Sequence, residues 1–198
     1  MVELPRSVSR GRPRSDSVDR ALAEAALEEF VGRGYHAMSI ESIAARAGVS
    51  KVSLYRRWNS KLAIATEVLQ FLNKTITPVG DHGSFEADIR ALLNESIGSR
   101  SAKTAANIVM RMMGEISVNA ELLALYRTYI IIPRLEQLRG LIERARARKE
   151  LRADLPTDVA CAMIAGPLFL YYLTVLANLN MPRNLADQLT RSILRGIT

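Results

Sequence analysis

Apolar residues recur at helical spacing in segment after segment of this chain, and the pattern breaks at clusters of Gly, Pro and Ser. From Asp16 or Ser17 to about Arg33, the residues Val18, Leu22, Ala25, Ala26 and Phe30 supply one inner face, and Gly34 ends the run. A second run has Ile40, Ile43, Ala44 and Ala47 on one face, and a short third places Leu54 and Trp58 one turn apart. Asn59 and Ser60 cap a fourth, which reaches about Thr77 and turns Ala65, Val68, Leu69 and Leu72 inward. Pro78, Gly80, Asp81, His82 and Gly83 then interrupt the pattern. It resumes near Phe85, with Ile89, Leu92, Leu93 and Ile97, and stops near Gly98 to Ser101. A helix from about Ala102 to Val118 aligns Ile108, Met112 and Ile116, with Met110 and Met113 beside them. The next, from about Ala120 to Lys149, contains Pro133, which should kink it or split it in two. Its second part turns Leu135, Leu138, Leu141, Ile142 and Ala145 inward and a solvated face of Arg and Glu outward. Thr157 to about Asn178 is apolar nearly all round, with a break expected at Gly166-Pro167. Leu185, Leu189 and Ile193 form the stripe of a closing helix from about Arg183 to Arg195. The chain therefore reads as all-α, with about nine helices.

The stretch Ser39 to Trp58, SIESIAARAGVSKVSLYRRW, carries the sharpest signal. Ser39 caps its first helix, with Met38 and Ile43 placed to staple across the cap. Gly48 supplies the left-handed residue that stops that helix, and Ser50 caps a second, stapled by Val49 and Leu54. Lys51, Val52, Ser53, Tyr55, Arg56 and Arg57 are left for the open side. Two short helices joined by a Gly-containing turn, the second basic on its free side, make a helix-turn-helix, so the chain reads as DNA-binding.

Composition narrows the field. Of 198 residues, 48% are hydrophobic and 24% charged, which fits a folded globular chain and not a disordered one. The formal net charge of +7 favours a polyanionic partner. The single cysteine, Cys161, excludes an intrachain disulfide and fits a reducing compartment, and the opening MVELPRSVSRGRPR lacks the apolar core of a signal peptide. The expected location is the cytoplasm. Residues 1–15 read as a flexible basic arm, either a solvated tail or one whose Arg12 and Arg14 follow the minor groove. Two distant histidines and one cysteine offer no metal-site spacing, and no cofactor is implied.

The helix-turn-helix and its flanks closely resemble the TetR family of bacterial transcriptional regulators. Phe30, Gly34 and Tyr35 before the motif, IAARAGVSKVSLYRRW within it, and Ser60-Lys61 after it carry the likeness. Val52 departs from it, since many members have Gly or Ala there; this bears on the operator and leaves the fold alone. The resemblance implies a three-helix DNA-binding domain over residues 16–77, with its motif at 39–58, and a ligand-binding and dimerisation domain over 78–198. Ser39, Ser50, Lys51, Val52, Ser53, Tyr55 and Arg56 are the expected DNA contacts. Lys61 joins them, because an ammonium at a helix start suits a phosphate and the family's lysine matches it. The resemblance also implies that the last two helices pair with a partner's in a four-helix dimer interface. Met163, Leu168, Phe169, Tyr172, Leu185, Leu189 and Ile193 are the candidates for it. That reading explains a helix apolar on every face without a membrane, although its length would suit one.

The expected partners are double-stranded operator DNA, a second copy of the chain, and a small, largely apolar effector that releases a repressor. Ile108, Met110, Met112, Met113, Ile116, Tyr126 and Tyr129 are candidates to line its pocket, since thioethers and aromatic faces suit such ligands. The competing reading is a DNA-binding protein without a small-molecule sensor, acting in DNA packaging or through a protein partner. An enzyme is not expected. Cys161 sits in an apolar helix, neither His36 nor His82 has a nearby nucleophile or acid in a working spacing, and Asp154 and Asp158 read as helix-start charges.

Overall fold

The computed structural model describes residues 16–75, 78, 80–97 and 102–197; Arg12, Arg14 and the break expected at Gly98 to Ser101 lie outside them. Among the described residues the chain is entirely helical: α1 (Asp16–Ala37), α2 (Ile40–Ala47), α3 (Lys51–Tyr55), α4 (Lys61–Thr75), α5 (Phe85–Ser96), α6 (Ala102–Ile116), α7 (Ala120–Tyr126), α8 (Ile132–Ala147), α9 (Thr157–Leu176) and α10 (Leu185–Ile197). A π-helical turn, Arg127–Ile131, joins α7 to α8 without a break, so these helices form nine rods.

Two apolar clusters organise them. The first gathers Leu22, Ala26 and Phe30 of α1, Ile43 of α2, Leu54, Trp58, and Ile64, Val68 and Leu69 of α4; it also takes in Met112 of α6 and Leu122 and Tyr126 of α7. The second joins Phe85, Ile89 and Leu93 of α5, Leu141, Ile142 and Ala145 of α8, Ala160, Cys161 and Ile164 of α9, and Ile193 and Ile197 of α10. Burial pushes the Cys161 thiol pKa up, which keeps it protonated and unreactive.

Pro133 does not split the helix that contains it; the irregularity it brings is the π turn just before it. The backbone stays in the αR region from Tyr126 through Ile132, and the Ile132 N–H donates to the Arg127 carbonyl, five residues back. A proline ring clashes with the carbonyl four residues earlier in an α-helix; here the wider π turn stands in that place before Pro133. Gly166-Pro167 likewise does not break α9, which runs through both residues. An interior proline costs about 3 kcal/mol in a free helix. Here the burial of Ala160, Cys161, Ile164 and Tyr171 holds the helix together around it.

The stripe expected to face a partner is also redistributed. Leu185 and Ile193 are buried in the chain's own clusters, Ile193 at 4% exposure, so neither offers surface to another subunit. Met163, Leu168, Tyr172 and Leu189 are half-buried beside them. Phe169 is exposed, and with it Val159, Leu170 and Leu173 of the same helix. By length and composition α9 is long and apolar enough to cross a membrane; in the fold it packs against α6, α8 and α10.

The segment entering α5 is held by a buried carboxylate. Asp88 is fully buried and accepts from the His82 backbone N–H at 2.6 Å and from Arg148 Nη2 at 3.3 Å, with Arg144 Nη2 at 3.8 Å. Arg144 also donates to the Gly80 carbonyl at 3.0 Å, and Arg148 to Asp81 at 3.1 Å. Arg144 of α8 and Arg148 just past its end thus grip the segment between α4 and α5. Removing the acceptor leaves these donors facing one another. Asp88→Ala should therefore destabilise the chain by about 2–3 kcal/mol, below the figure for a wholly buried pair because the guanidinium groups keep some solvent. Thermal denaturation should record this as a melting temperature lower by roughly 5–10 °C.

Candidate nucleic-acid interface

The helix-turn-helix forms at the positions its caps dictate. The Ser39 hydroxyl accepts from the Ser42 N–H at 3.3 Å, Gly48 closes α2 in the left-handed region at φ 65°, and the Ser50 hydroxyl accepts from the Ser53 N–H at 3.2 Å. Trp58 N–H still donates to the Leu54 carbonyl at 2.8 Å, so the helical path runs one turn past Tyr55. Ser60 caps α4 by accepting from the Ala63 N–H at 3.1 Å.

Three buried or half-buried acids lock these helices together. Glu29, almost wholly buried on α1, accepts from the Ser39 N–H at 3.3 Å and the Ser42 hydroxyl at 2.7 Å, which fixes the start of α2. Arg57, placed by the sequence pattern on the open side, turns inward instead. It donates to Asp19 of α1 and Glu67 of α4, and Glu67 also accepts from the Trp58 indole N–H at 2.6 Å. The reason is local: with Arg57 next to the buried Trp58, its guanidinium lies against two carboxylates that would otherwise be half-buried alone. α3 is thereby tied to both neighbouring helices.

What remains exposed is one compact face. Lys51, Val52, Ser53, Tyr55 and Arg56 are all solvent-exposed, Val52 at 69%. Ser39 and Ser50 serve first as helix caps; Ser50 and Ser53 also share a hydroxyl–hydroxyl bond at 2.9 Å. Lys61, exposed at the start of α4, donates to the His36 carbonyl at 2.6 Å. A short, rigid, basic helix flanked by two helix N-termini has the shape and charge for a DNA major groove and its bordering phosphates.

The candidate sensor residues are also largely brought together. Met112 and Tyr126 are buried in the first cluster, and Ile108, Met113, Ile116 and Tyr129 pack against it; Met110 is half-buried and not part of it. Desolvation pushes the Tyr126 phenol pKa up. The sequence did not signal what lies next to them. Arg111 of α6 donates to the Gly32 carbonyl at 2.8 Å, and Glu115 accepts from the Tyr35 N–H at 2.9 Å. Glu115 can approach because Gly34, at φ 81°, has no Cβ to stand in its way. The end of α1, where Gly34 breaks the helical path as its position in the sequence predicts, is therefore held by α6, and through the His36 carbonyl so is Lys61.

Comparison with known proteins agrees with this geometry. Residues 22–68 match the family model for bacterial regulatory proteins of the tetR family, and residues 79–193 match that for tetracyclin repressor-like C-terminal domains. An uncharacterized HTH-type transcriptional regulator of Bacillus subtilis, YdeS, is 31% identical over 163 residues, covering 81% of this chain and 80% of its own. The HTH-type transcriptional activator FasR of Mycolicibacterium smegmatis is 48% identical over 67 residues, 34% of this chain and 26% of its own. Among solved structures, the regulator FadR of Bacillus subtilis in complex with stearoyl-CoA shares the fold with a TM-score of 0.69 at 18% identity, covering 90% of this chain and 99% of that one.

Contacts to phosphate and to base edges should separate on mutation. Lys61→Ala should weaken binding to every duplex and lower the dependence of log K on log salt by about 0.9, one phosphate's share. Arg56→Ala should change sequence preference as well, at about 1–3 kcal/mol where a bidentate base contact is lost. Binding titrations on a panel of duplexes at several salt concentrations measure both effects.

Proposed function

The chain belongs to the TetR family of bacterial transcriptional regulators, and from that premise we propose that it is a homodimeric repressor released from its operator by a small, largely apolar ligand. One observation carries this reading: Met112, Leu122 and Tyr126 of the second region are buried in the same cluster as Phe30, Leu54 and Trp58 of the first. A ligand that displaces Met112 or Tyr126 pushes on the packing that seats α3. Close-packed interiors transmit such a displacement because they have no slack to absorb it. The grip of Arg111 and Glu115 on the end of α1 supplies a second, polar link along α6.

The reading face is Lys51, Val52, Ser53, Tyr55 and Arg56, with Ser39, Ser50 and Lys61 toward the backbone. The exposed isopropyl group of Val52 suits a thymine methyl. Occupying a promoter is enough to obstruct transcription, and losing the site is all that a ligand has to bring about. The work belongs in the cytoplasm, where the operator is. FadR's complex with stearoyl-CoA, a ligand with a long apolar chain, is consistent with a largely apolar effector here. Ile108, Met112, Met113, Ile116, Tyr126 and Tyr129 are the side chains proposed to meet it.

One head spans only a few base pairs, so two heads on a two-fold axis would read a palindrome-like site, with centres roughly 34–36 Å apart. The exposed apolar side chains of α9, with Leu170 at 58% exposure, are the surface proposed to join the two copies. Sedimentation of the wild type at micromolar concentration should give a dimer, and Leu170→Glu together with Leu173→Glu should give a folded monomer that has lost tight DNA binding. A wild-type monomer that still holds its site tightly would end the proposal.

The switch itself is tested by linkage. Small apolar compounds can be screened by thermal shift, and a hit titrated with and without operator DNA. A coupling of about 1–3 kcal/mol predicts roughly 5–150-fold weaker ligand binding when operator is present, and the same factor in reverse. Glu115→Gln should reduce that factor while leaving the ligand's affinity for the free protein within about two-fold, as expected for a residue of the linkage and not of the pocket. Equal ligand affinity with and without DNA would leave a binding site but no switch.

A further inference from the structure

Two groups of the proposed reading face, Lys51 and Tyr55, and the Ser39 cap beside it converge on one carboxylate that the sequence pattern left aside. Glu41, in the first turn of α2, accepts from the Ser39 hydroxyl at 3.1 Å and from the Tyr55 hydroxyl at 3.4 Å, and lies 3.7 Å from Lys51 Nζ. It is half exposed, and its own backbone N–H and the Ser39 hydroxyl hold its pKa below the usual carboxylate range. An anion at a helix start needs no further reason for itself, since it complements the helix dipole. Such a role does not require it to reach across to α3, which this one does. It also stands on the surface that would meet a polyanion, where a negative charge opposes binding.

We propose that Glu41 is a specificity-determining residue of the reading face, acting by holding Lys51 and Tyr55 and withholding Lys51 from stray phosphates. This inference rests on the assignment of that face to DNA. Its physical basis is the difference between the two kinds of acceptor that Lys51 can meet. A phosphate within reach of Lys51 brings a second anion toward Glu41 and is repelled. The O6 and N7 atoms of a guanine are neutral acceptors and carry no such penalty. Glu41 therefore tilts Lys51 from backbone to base edge. Because affinity for random DNA follows the number of phosphates neutralised, Glu41 lowers that background more than it lowers binding to the operator.

The test compares the full-length wild type with Glu41→Gln, which keeps the shape and removes the charge. The probes are a random-sequence duplex of about 30 base pairs and an operator selected from a genomic DNA pool. For the random duplex, the salt dependence should steepen by about 0.9 and affinity in low salt should rise about three-fold, the share of one phosphate contact. Operator affinity should change by less, so the ratio of the two falls. In a Lys51→Ala background, Glu41→Gln should bring no gain, which a role in helix stability alone would not produce. Unchanged salt dependence and random-duplex affinity in Glu41→Gln would overturn the inference, as would a full gain surviving Lys51→Ala. Collapse of operator binding with random binding intact would overturn it too, by making Glu41 itself a base contact. Lys51→Ala alone separates the two levels of the reading. If it alters operator preference, the face is correctly assigned and a negative result falls on Glu41 only.

Discussion

The apolar cluster around Phe30, Leu54 and Trp58 is not closed by the helices that read DNA. A unit of about sixty residues buries only about 60% of the surface its unfolded chain exposes, too little for comfortable stability alone. Here Met112, Leu122 and Tyr126, from outside that unit, complete its interior. The arrangement makes the orientation of α3 depend on α6 and α7, and much of the remaining architecture follows from that dependence. α4 packs against α1 and against α7 with its π turn, so its place is tied to both.

Around this apolar centre, the joints are polar and share one plan: an acid that is buried or half-buried, held by arginines. Glu29 meets Arg33 and Arg46 where α1 passes to α2, Glu67 meets Arg57 where α3 passes to α4, and Asp88 meets Arg144 and Arg148 at the entry to α5. Such pairs add little net stability, because desolvation offsets most of the attraction. Their effect is geometric. Each ties two neighbouring helices together at a fixed point.

The helix-turn-helix was legible because its signals are local. Ser39, Gly48 and Ser50 act on residues three or four positions away, and the structure repeats them at those positions. Arg57 was misread because nothing near it in sequence tells of Asp19, 38 residues before it, or Glu67, ten after. The grip of Arg111 and Glu115 on the end of α1 spans about 80 residues and leaves no periodic trace. Leu185 and Ile193 mark a different ambiguity. A stripe at helical spacing shows that a face is covered, and gives no sign of whether the cover is the chain's own core or another copy's. Proline misled for a third reason: Pro133 and Pro167 are stop signals only where the surrounding helix has no packing or wide turn to accommodate them.

The π turn at Arg127–Ile131 sits where one continuous rod passes from the first cluster, which holds Leu122 and Tyr126, to the second, which holds Leu141, Ile142 and Ala145. An α-helix turns by about 100° per residue, so the residue taken up in the wide turn sets the angle between those two faces. In a loop a one-residue change of length is absorbed. At this place a single codon gained or lost would rotate half the rod against the other half and take one of the two interiors out of register. The stretch between Tyr126 and Pro133 thus holds the register between the two interiors, though it carries no side chain assigned to DNA and only Tyr129 among those proposed for the ligand.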